Sequence, residues 1–91
     1  MIRNGRVEHA NGMIVYYMDN KYHRVDGPAL IHGADKEYYI NGQPHREDGP
    51  AYHWNNEKIW CLKGREYSFD DWCKTLMLTD TEIAMILLCN E

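Results

Sequence analysis

A seven-residue motif, His-Arg-x-Asp-Gly-Pro-Ala, occurs twice in this chain and constrains its fold more than any other feature. The two copies occupy residues 23–29 and 45–51, so they lie 22 residues apart, and six of their seven positions are identical. The same offset relates three residue pairs, Tyr16-Tyr17, Tyr38-Tyr39 and Trp60-Cys61. A period of this length indicates one supersecondary unit that is used repeatedly.

The residues around the motifs predict short β-strands. Within each unit, one strand follows the Gly-Pro and a second carries the aromatic pair, with a polar turn between them. Asn11-Gly12 predicts a hairpin turn ahead of the β-branched and aromatic run at 13–17. No segment of residues 1–65 keeps the 3.6-residue period of a helix, so this body should be all β. The predicted strands of the two full units are 29–32, 37–40, 51–54 and 59–62.

The pattern changes at Ser68. Two helix-capping patterns, beginning at Ser68 and at Thr79, each place carboxylates in the first turn and precede apolar residues. We therefore expect short helices at about 69–78 and 80–89, which would close the open end of the sheet.

Together these patterns predict a mainly β fold with a smaller α part. The expected architecture is an antiparallel β-meander of hairpin repeats (1–67), capped by one or two short C-terminal helices (68–91). A chain of 91 residues is long enough for one small domain, so we expect a single domain of residues 1–91.

Because side chains alternate along a strand, the two residues of each of the three repeated pairs lie on opposite faces of the sheet. One face receives Tyr16, Tyr38 and Trp60, and the other receives Tyr17, Tyr39 and Cys61. Both faces are half apolar. We predict that the C-terminal helices cover the second face.

Charge and cysteine content restrict the partners and the compartment. The formal net charge of −4 argues against binding to a nucleic-acid backbone. Residues 66–91 hold six Asp/Glu against one Lys, whereas residues 1–65 hold nine Lys/Arg against eight acids. The acidic helices are therefore suited to imitate a nucleic-acid surface or to dock a basic protein partner.

Cys61, Cys73 and Cys89 are widely spaced and include no CxxC, so we expect three free thiols in a reducing compartment. No signal-peptide pattern opens the chain, and the apolar run at 83–88 is too short to span a bilayer. These features predict a soluble cytoplasmic protein without a membrane partner.

Asp26-Gly27-Pro28 and Asp48-Gly49-Pro50 have the residue types of a tight corner. Gly permits a positive φ, Pro fixes φ, and Asp accepts hydrogen bonds from nearby backbone groups. We predict that both triplets are structural turns, and that a β-branched residue in place of Gly49 would destabilise the fold if Gly49 has a positive φ.

The pairs His23-Arg24 and His45-Arg46 admit two interpretations. In the first they form a ladder between stacked units, in which each Arg pairs with a neighbouring acid and each His donates to a backbone carbonyl of the next turn. In the second they bind phosphate or a nucleotide, because the Arg fork matches phosphate oxygens. Four aromatic residues also admit two interpretations, as part of the core or as part of a recognition surface. They are Tyr17, Tyr39, Tyr52 and Trp54.

No sequence motif typical of a metal, cofactor or catalytic site is present. The histidines and cysteines lack the short ligand spacing of zinc sites, and no P-loop, nucleophile-elbow or dinucleotide pattern occurs. We therefore expect no cofactor and no enzyme activity. A nucleotide-degrading enzyme that uses His45 and Asp48 is the least favoured hypothesis.

Residues 38–51, Tyr-Tyr-Ile-Asn-Gly-Gln-Pro-His-Arg-Glu-Asp-Gly-Pro-Ala, resemble a β-hairpin repeat of bacteriophage and bacterial proteins that is distantly similar to MORN repeats. The pattern of that repeat is W/Y-Y-x-N-G-x-x-H-R-x-D-G-P-A. Residues 62–72 look like the usual close of such phage proteins, a hairpin that runs into acidic helices. The resemblance implies a phage-encoded accessory protein in the host cytoplasm. The glycine pattern of MORN repeats is incomplete here, so the lipid binding ascribed to MORN arrays does not carry over.

The leading hypothesis is a non-enzymatic interaction module that binds and inhibits a host or anti-phage-defence protein. The alternative is a sponge that sequesters a nucleotide immune signal at the His/Arg and aromatic residues. Such a sponge would act as a homodimer, because the open sheet edge favours self-association.

Overall fold

A computed structural model describes residues 2–90 and shows a mainly β protein with two short C-terminal helices. The expected fold class is therefore confirmed. The strands are β1 (Gly5–Glu8), β2 (Ile14–Met18), β3 (Lys21–Tyr22), β4 (Leu30–His32), β5 (Asp35–Glu37), β6 (Tyr39–Ile40), β7 (Gln43–Pro44), β8 (Tyr52–Trp54), β9 (Glu57–Leu62) and β10 (Arg65–Tyr67). The helices are α1 (Phe69–Thr75) and α2 (Asp80–Cys89).

The strands form an antiparallel meander. The main sheet has the order β1-β2-β4-β5-β8-β9-β10, with β3 also paired to β2, and β6 pairs with β7 in a separate ribbon. The molecule is elongated, with extents of 44 × 23 × 19 Å. The repeats therefore succeed one another from one end of the sheet to the other.

Three two-residue turns close the hairpins of successive units. Asp19-Asn20, Asn41-Gly42 and Lys63-Gly64 have positive φ at both positions, 50° and 66°, 50° and 80°, and 50° and 84°. Positive φ at both residues is typical of the type I′ turn, whose twist matches that of the flanking strands. These hairpins add β3, β7 and β10, which the sequence analysis did not predict as strands.

The first helix is shorter than expected. Ser68 caps α1 by accepting a hydrogen bond at its hydroxyl, as the capping pattern predicts. The helix ends at Thr75, because Met77 has a left-handed φ of 57°. Leu78 N–H then donates to the carbonyl of Cys73 (3.1 Å), as in a Schellman motif.

The second helix has the predicted start. Thr79 and Glu82 form a complete capping box, in which each side chain accepts from the other residue's backbone N–H. Hydrogen bonding of the Glu82 carboxylate with the backbone, and secondarily the side chain, of Thr79 lowers the pKa of Glu82.

The main apolar cluster lies beneath the helices. Trp60 and Leu62 of β9 pack with Trp72 and Cys73 of α1, and Trp72 is completely buried. The ring of Trp60 lies 4.7 Å from that of Trp72 and 4.7 Å from that of Phe69, measured between ring centres. This cluster fixes α1 against the last strands of the sheet.

The prediction that the helices cover the face of Tyr17, Tyr39 and Cys61 is wrong. They cover the opposite face, which carries Trp60. Trp60 occupies the repeat position of Tyr38, but an arginine stacks on Tyr38 and helical aromatic rings contact Trp60. Aromatic rings of α1 therefore cover the larger ring of Trp60, whereas an arginine covers Tyr38 in the preceding unit.

All three cysteines are free, as expected, with Cys61 and Cys73 buried and Cys89 exposed. Burial, first among the causes, raises the pKa of the Cys61 and Cys73 thiols. Within residues 2–90, neither helix has the length and apolar character needed to cross a membrane.

Candidate functional site

Three partners hold the side chain of Arg46 in the second repeated corner. Its guanidinium carbon lies 3.9 Å from the centre of the Tyr38 ring, well within cation–π range. Nε donates to the Asp48 carboxylate (2.8 Å), and Nη1 donates to the Pro50 carbonyl (3.2 Å). Only 14% of the side chain is exposed. One guanidinium therefore joins an aromatic ring, an acid and a backbone carbonyl of its own corner.

The first repeated corner has the same construction. The guanidinium carbon of Arg24 lies 4.0 Å from the centre of the Tyr16 ring. Nε donates to Asp26 (3.1 Å) and Nη1 to the Pro28 carbonyl (3.2 Å). The expected pairing of each Arg with a neighbouring acid is confirmed in both units.

The arginine, rather than backbone φ, accounts for the glycine of each corner. Neither Gly27 nor Gly49 has a positive φ, so the condition considered for Gly49 is not met. A Cβ added to Gly49 would lie 2.5 Å from Cζ of Arg46, and one added to Gly27 would lie 2.9 Å from Cζ of Arg24. The guanidinium lies close against the glycine, so a side chain there would have to displace the guanidinium from its position.

The motif histidines connect each unit to the next. Nδ1 of His23 accepts from the backbone N–H of Asn41, and Nδ1 of His45 accepts from that of Lys63 (both 2.9 Å). The predicted direction is therefore wrong, because each His accepts from a backbone N–H of the next turn. Nε2 of His45 lies 2.9 Å from the Glu47 carboxylate, so a ring protonated at Nε2 alone satisfies both contacts.

Helical residues clamp the second corner. Nε1 of Trp72 donates to the backbone carbonyl of Arg46 (3.1 Å). Nδ2 of Asn90 donates to the carbonyls of Asp48 (3.1 Å) and Ile86 (2.7 Å). Asn90 is only 5% exposed. The C-terminal helices are thus bound to the motif itself as well as to the apolar cluster.

An open cleft of about 800 Å³ lies between the two corners. It brings Arg24, His45 and Arg46 together, whereas His23 is not among its lining residues. Its charged lining consists of three cations and three carboxylates, Arg24, Arg46 and Lys63 with Asp26, Glu47 and Asp48. Because these charges balance and both arginines already bind acids, the cleft has no surplus of positive charge for a phosphate.

The predicted aromatic residues share one row with Tyr22 on the sheet face opposite Trp60. We call this set the aromatic row; its members are Tyr17, Tyr22, Tyr39, Tyr52 and Trp54. Neighbouring ring centres are 5.2 to 6.0 Å apart. Tyr17 is buried and the other members are half-buried. The rings therefore pack largely against one another.

Glu37 fixes two rings of the aromatic row. Its carboxylate accepts from the Tyr39 hydroxyl (2.6 Å) and from Nε1 of Trp54 (3.0 Å). Burial, followed by the hydrogen bond to Glu37, raises the pKa of Tyr39 far above its usual range. The polar groups of both rings are thus engaged inside the protein.

The outward side of α2 forms a further exposed surface, which we did not predict from the sequence. We call it the outer face of α2; its members are Ala84, Met85, Leu87 and Leu88. Leu88 is 68% exposed, Met85 60% and Leu87 50%, whereas Ile83 and Ile86 pack on the apolar cluster. The sequence signal is that every residue of 83–88 is apolar, so the helix has no polar side to turn outward.

Comparison of the chain with protein-family models, with curated protein sequences and with solved structures finds no match. The fold itself defines a class, a β-hairpin-repeat sheet with a C-terminal helical cap.

Proposed function

We propose that the chain is a non-enzymatic interaction module that binds a protein partner through the outer face of α2. The observation that carries the proposal is the exposure of Met85 and Leu88 on a helix that packs through Ile83 and Ile86. Met85 and Leu88 are three residues apart, so they lie on one side of the helix. A contiguous exposed apolar surface of this kind is typical of a contact site, and helices commonly dock in grooves in this manner.

Charge defines the chemistry of the partner. Asp80 and Glu82 lie in the first turn of α2, and residues 66–91 hold six acids against one Lys. A partner with an apolar groove and a basic rim fits this helix best. Following the resemblance to phage repeat proteins, we propose that the partner is a host or anti-phage-defence protein that the chain inhibits.

The surroundings of the side chains that could take part in catalysis support a non-enzymatic role. Asp48 is paired with Arg46, and His45 contacts Glu47 while it accepts a backbone hydrogen bond. Burial raises the thiol pKa of Cys61, which disfavours the nucleophilic thiolate. Asp48 and His45 are therefore engaged in structural contacts, and the buried Cys61 thiol is a poor nucleophile.

Lysine substitutions on α2 test the proposal. The binding partner is first isolated from host cells with the wild-type protein and then titrated, in purified form, with Met85→Lys and Leu88→Lys. Each variant should bind it at least roughly tenfold more weakly, because a buried contact becomes a charge beside a basic rim. Val25→Lys is the matched control, since Val25 is 83% exposed but lies in the first corner. Equal binding by Leu88→Lys and Val25→Lys would contradict the proposal.

A second candidate, nucleotide sequestration, rests on the cleft alone: Arg24, Arg46 and Lys63 all line it, although three carboxylates of the lining offset their charge. Lys63→Ala then removes one of the three lining cations without removing an arginine from a corner. Under this candidate, mass spectrometry should find a nucleotide with the purified wild-type protein, and less of it with Lys63→Ala. Wild-type protein free of nucleotide, when isolated from infected cells, would rule the candidate out.

A further inference from the structure

Within the part of the chain that the structure describes, the first strand of the sheet has an open edge. β1 pairs with β2 on one side and stands at the end of the strand order. The helices contact the other end, since α1 packs against β9 and β10. An unpaired edge of this kind is a template for another strand.

The direction in which the backbone N–H and C=O groups point shows which residues of β1 can form hydrogen bonds at the open edge. Tyr16 N–H donates to Ala29 O (2.7 Å) and Tyr16 O accepts from His23 N–H (2.9 Å), so both groups point away from β1. Arg6 stands opposite Tyr16 in the register, so the backbone groups of Arg6 point away from β2. By alternation, those of Glu8 point the same way. Arg6 and Glu8 therefore present N–H and C=O groups at the open edge.

The side chains on this edge are self-complementary. Nη1 of Arg6 lies 3.9 Å from the Glu8 carboxylate, with 49% and 60% of the two side chains exposed. We propose that two copies of this chain associate by antiparallel pairing of β1, with the two-fold axis at Val7. In that register, Arg6 of each copy stands opposite Glu8 of the second copy, and the outward backbone groups form about four hydrogen bonds.

The charges also select this register over its neighbours. A slip must move the strands by two residues to keep the outward backbone groups facing each other. Such a slip sets Arg6 opposite Arg6, or Glu8 opposite Glu8, and like charges directly opposite each other are destabilising. It also loses backbone hydrogen bonds. One symmetric pairing is therefore favoured, and it closes as a dimer rather than growing into a fibre.

Charge reversal provides the test, with sedimentation velocity over a concentration series as the measurement. So small an interface should give a weak wild-type dimer, with a Kd between about 1 µM and 1 mM. Arg6→Glu alone and Glu8→Arg alone should each shift the midpoint of association to at least roughly tenfold higher concentration. An equal mixture of these two variants should regain association, because each strand then faces its opposite charge. The double variant Arg6→Glu with Glu8→Arg should dimerise like the wild type.

Arg6→Pro is a second, backbone-level variant. The Arg6 N–H points to the open edge, so proline should leave the fold intact by circular dichroism yet remove the dimer. Leu88→Lys should dimerise normally, which separates this proposal from the binding of a protein partner. A wild-type monomer at about 1 mM would overturn the proposal. Single charge variants that associate as the wild type does, a mixture that fails to associate, or growth into larger assemblies would also overturn it.

Discussion

Nδ2 of Asn90 donates to the backbone carbonyl of Asp48, 3.1 Å away and 42 residues earlier in the sequence. This hydrogen bond ties the C-terminal end of α2 to the second repeated corner. The side chain of Asn90 also lies close to Gly49, whose added Cβ would be 2.7 Å from Oδ1 of Asn90. The second corner is therefore more tightly enclosed than the first.

We expect Gly49→Ala to destabilise the protein by about 2 kcal/mol, because the new methyl group would meet both Arg46 and Asn90. Gly27→Ala should cost about 1 kcal/mol, because the three nearest atoms all belong to Arg24 and that side chain is 26% exposed. Urea unfolding of the two variants measures the difference. A larger loss for Gly27→Ala would mean that the helical clamp does not enclose the second corner.

Asn90→Ala should couple to Gly49→Ala. Alone, it removes the hydrogen bond to Asp48 and should cost about 1 kcal/mol. In the double variant the methyl group introduced at position 49 no longer meets the Asn90 side chain, so the combined loss should be smaller than the sum of the two. A double-mutant cycle in urea tests this. Strict additivity would show that the two positions do not interact.

Trp72→Ala should destabilise the fold by about 4 kcal/mol, because it removes a completely buried ring that packs against Trp60 and Phe69. Trp72→Phe should cost less, since it keeps an aromatic ring but loses the hydrogen bond to the Arg46 carbonyl. Trp54→Ala is the comparison, because Trp54 is half-buried at the end of the aromatic row. The thermal midpoint should be highest for Trp54→Ala, lower for Trp72→Phe and lowest for Trp72→Ala. A midpoint of Trp72→Ala close to that of the wild type would contradict the packing of Trp72 in the apolar cluster.

The repeat architecture was predictable from the sequence because identical residues recur at a fixed offset. The 22-residue period, the antiparallel meander and the start of α2 after its cap Thr79 all follow from local patterns. The strands at the type I′ turns were missed, although Asn41-Gly42 is a strong hairpin signal. They are only two or three residues long, which is too short for alternation to show.

Which face the helices cover was not predictable from alternation, because both faces are half apolar. A usable signal was present, however. Where a third His-Arg would fall, the chain has Tyr67-Ser68, so Trp60 has no arginine at the equivalent position. The rings of Phe69 and Trp72 contact it instead. The role of Gly49 was not predictable, because it depends on where the Arg46 guanidinium packs.

Met77→Gly should stabilise the protein by about 0.5–1 kcal/mol, because Met77 has a left-handed φ of 57° and is 86% exposed. Lys74→Gly is the matched control; its position is helical, so glycine there should destabilise by about 1 kcal/mol. Thermal unfolding monitored by circular dichroism distinguishes the two. If Met77→Gly destabilised the protein as much as Lys74→Gly, Met77 would not terminate α1 in the left-handed conformation.

The most direct test of the repeated corner as a scaffold is the unfolding free energy of Arg46→Ala, measured in urea on the same preparation that is assayed for bound nucleotide. The variant loses the stacking on Tyr38 and leaves Asp48 and the Pro50 carbonyl without their donor, so stability should fall by about 2 kcal/mol. Arg24→Ala should also lose stability, since Arg24 makes the same contacts. Unchanged stability of Arg46→Ala together with loss of a bound nucleotide would contradict the account and identify the motif as a ligand site.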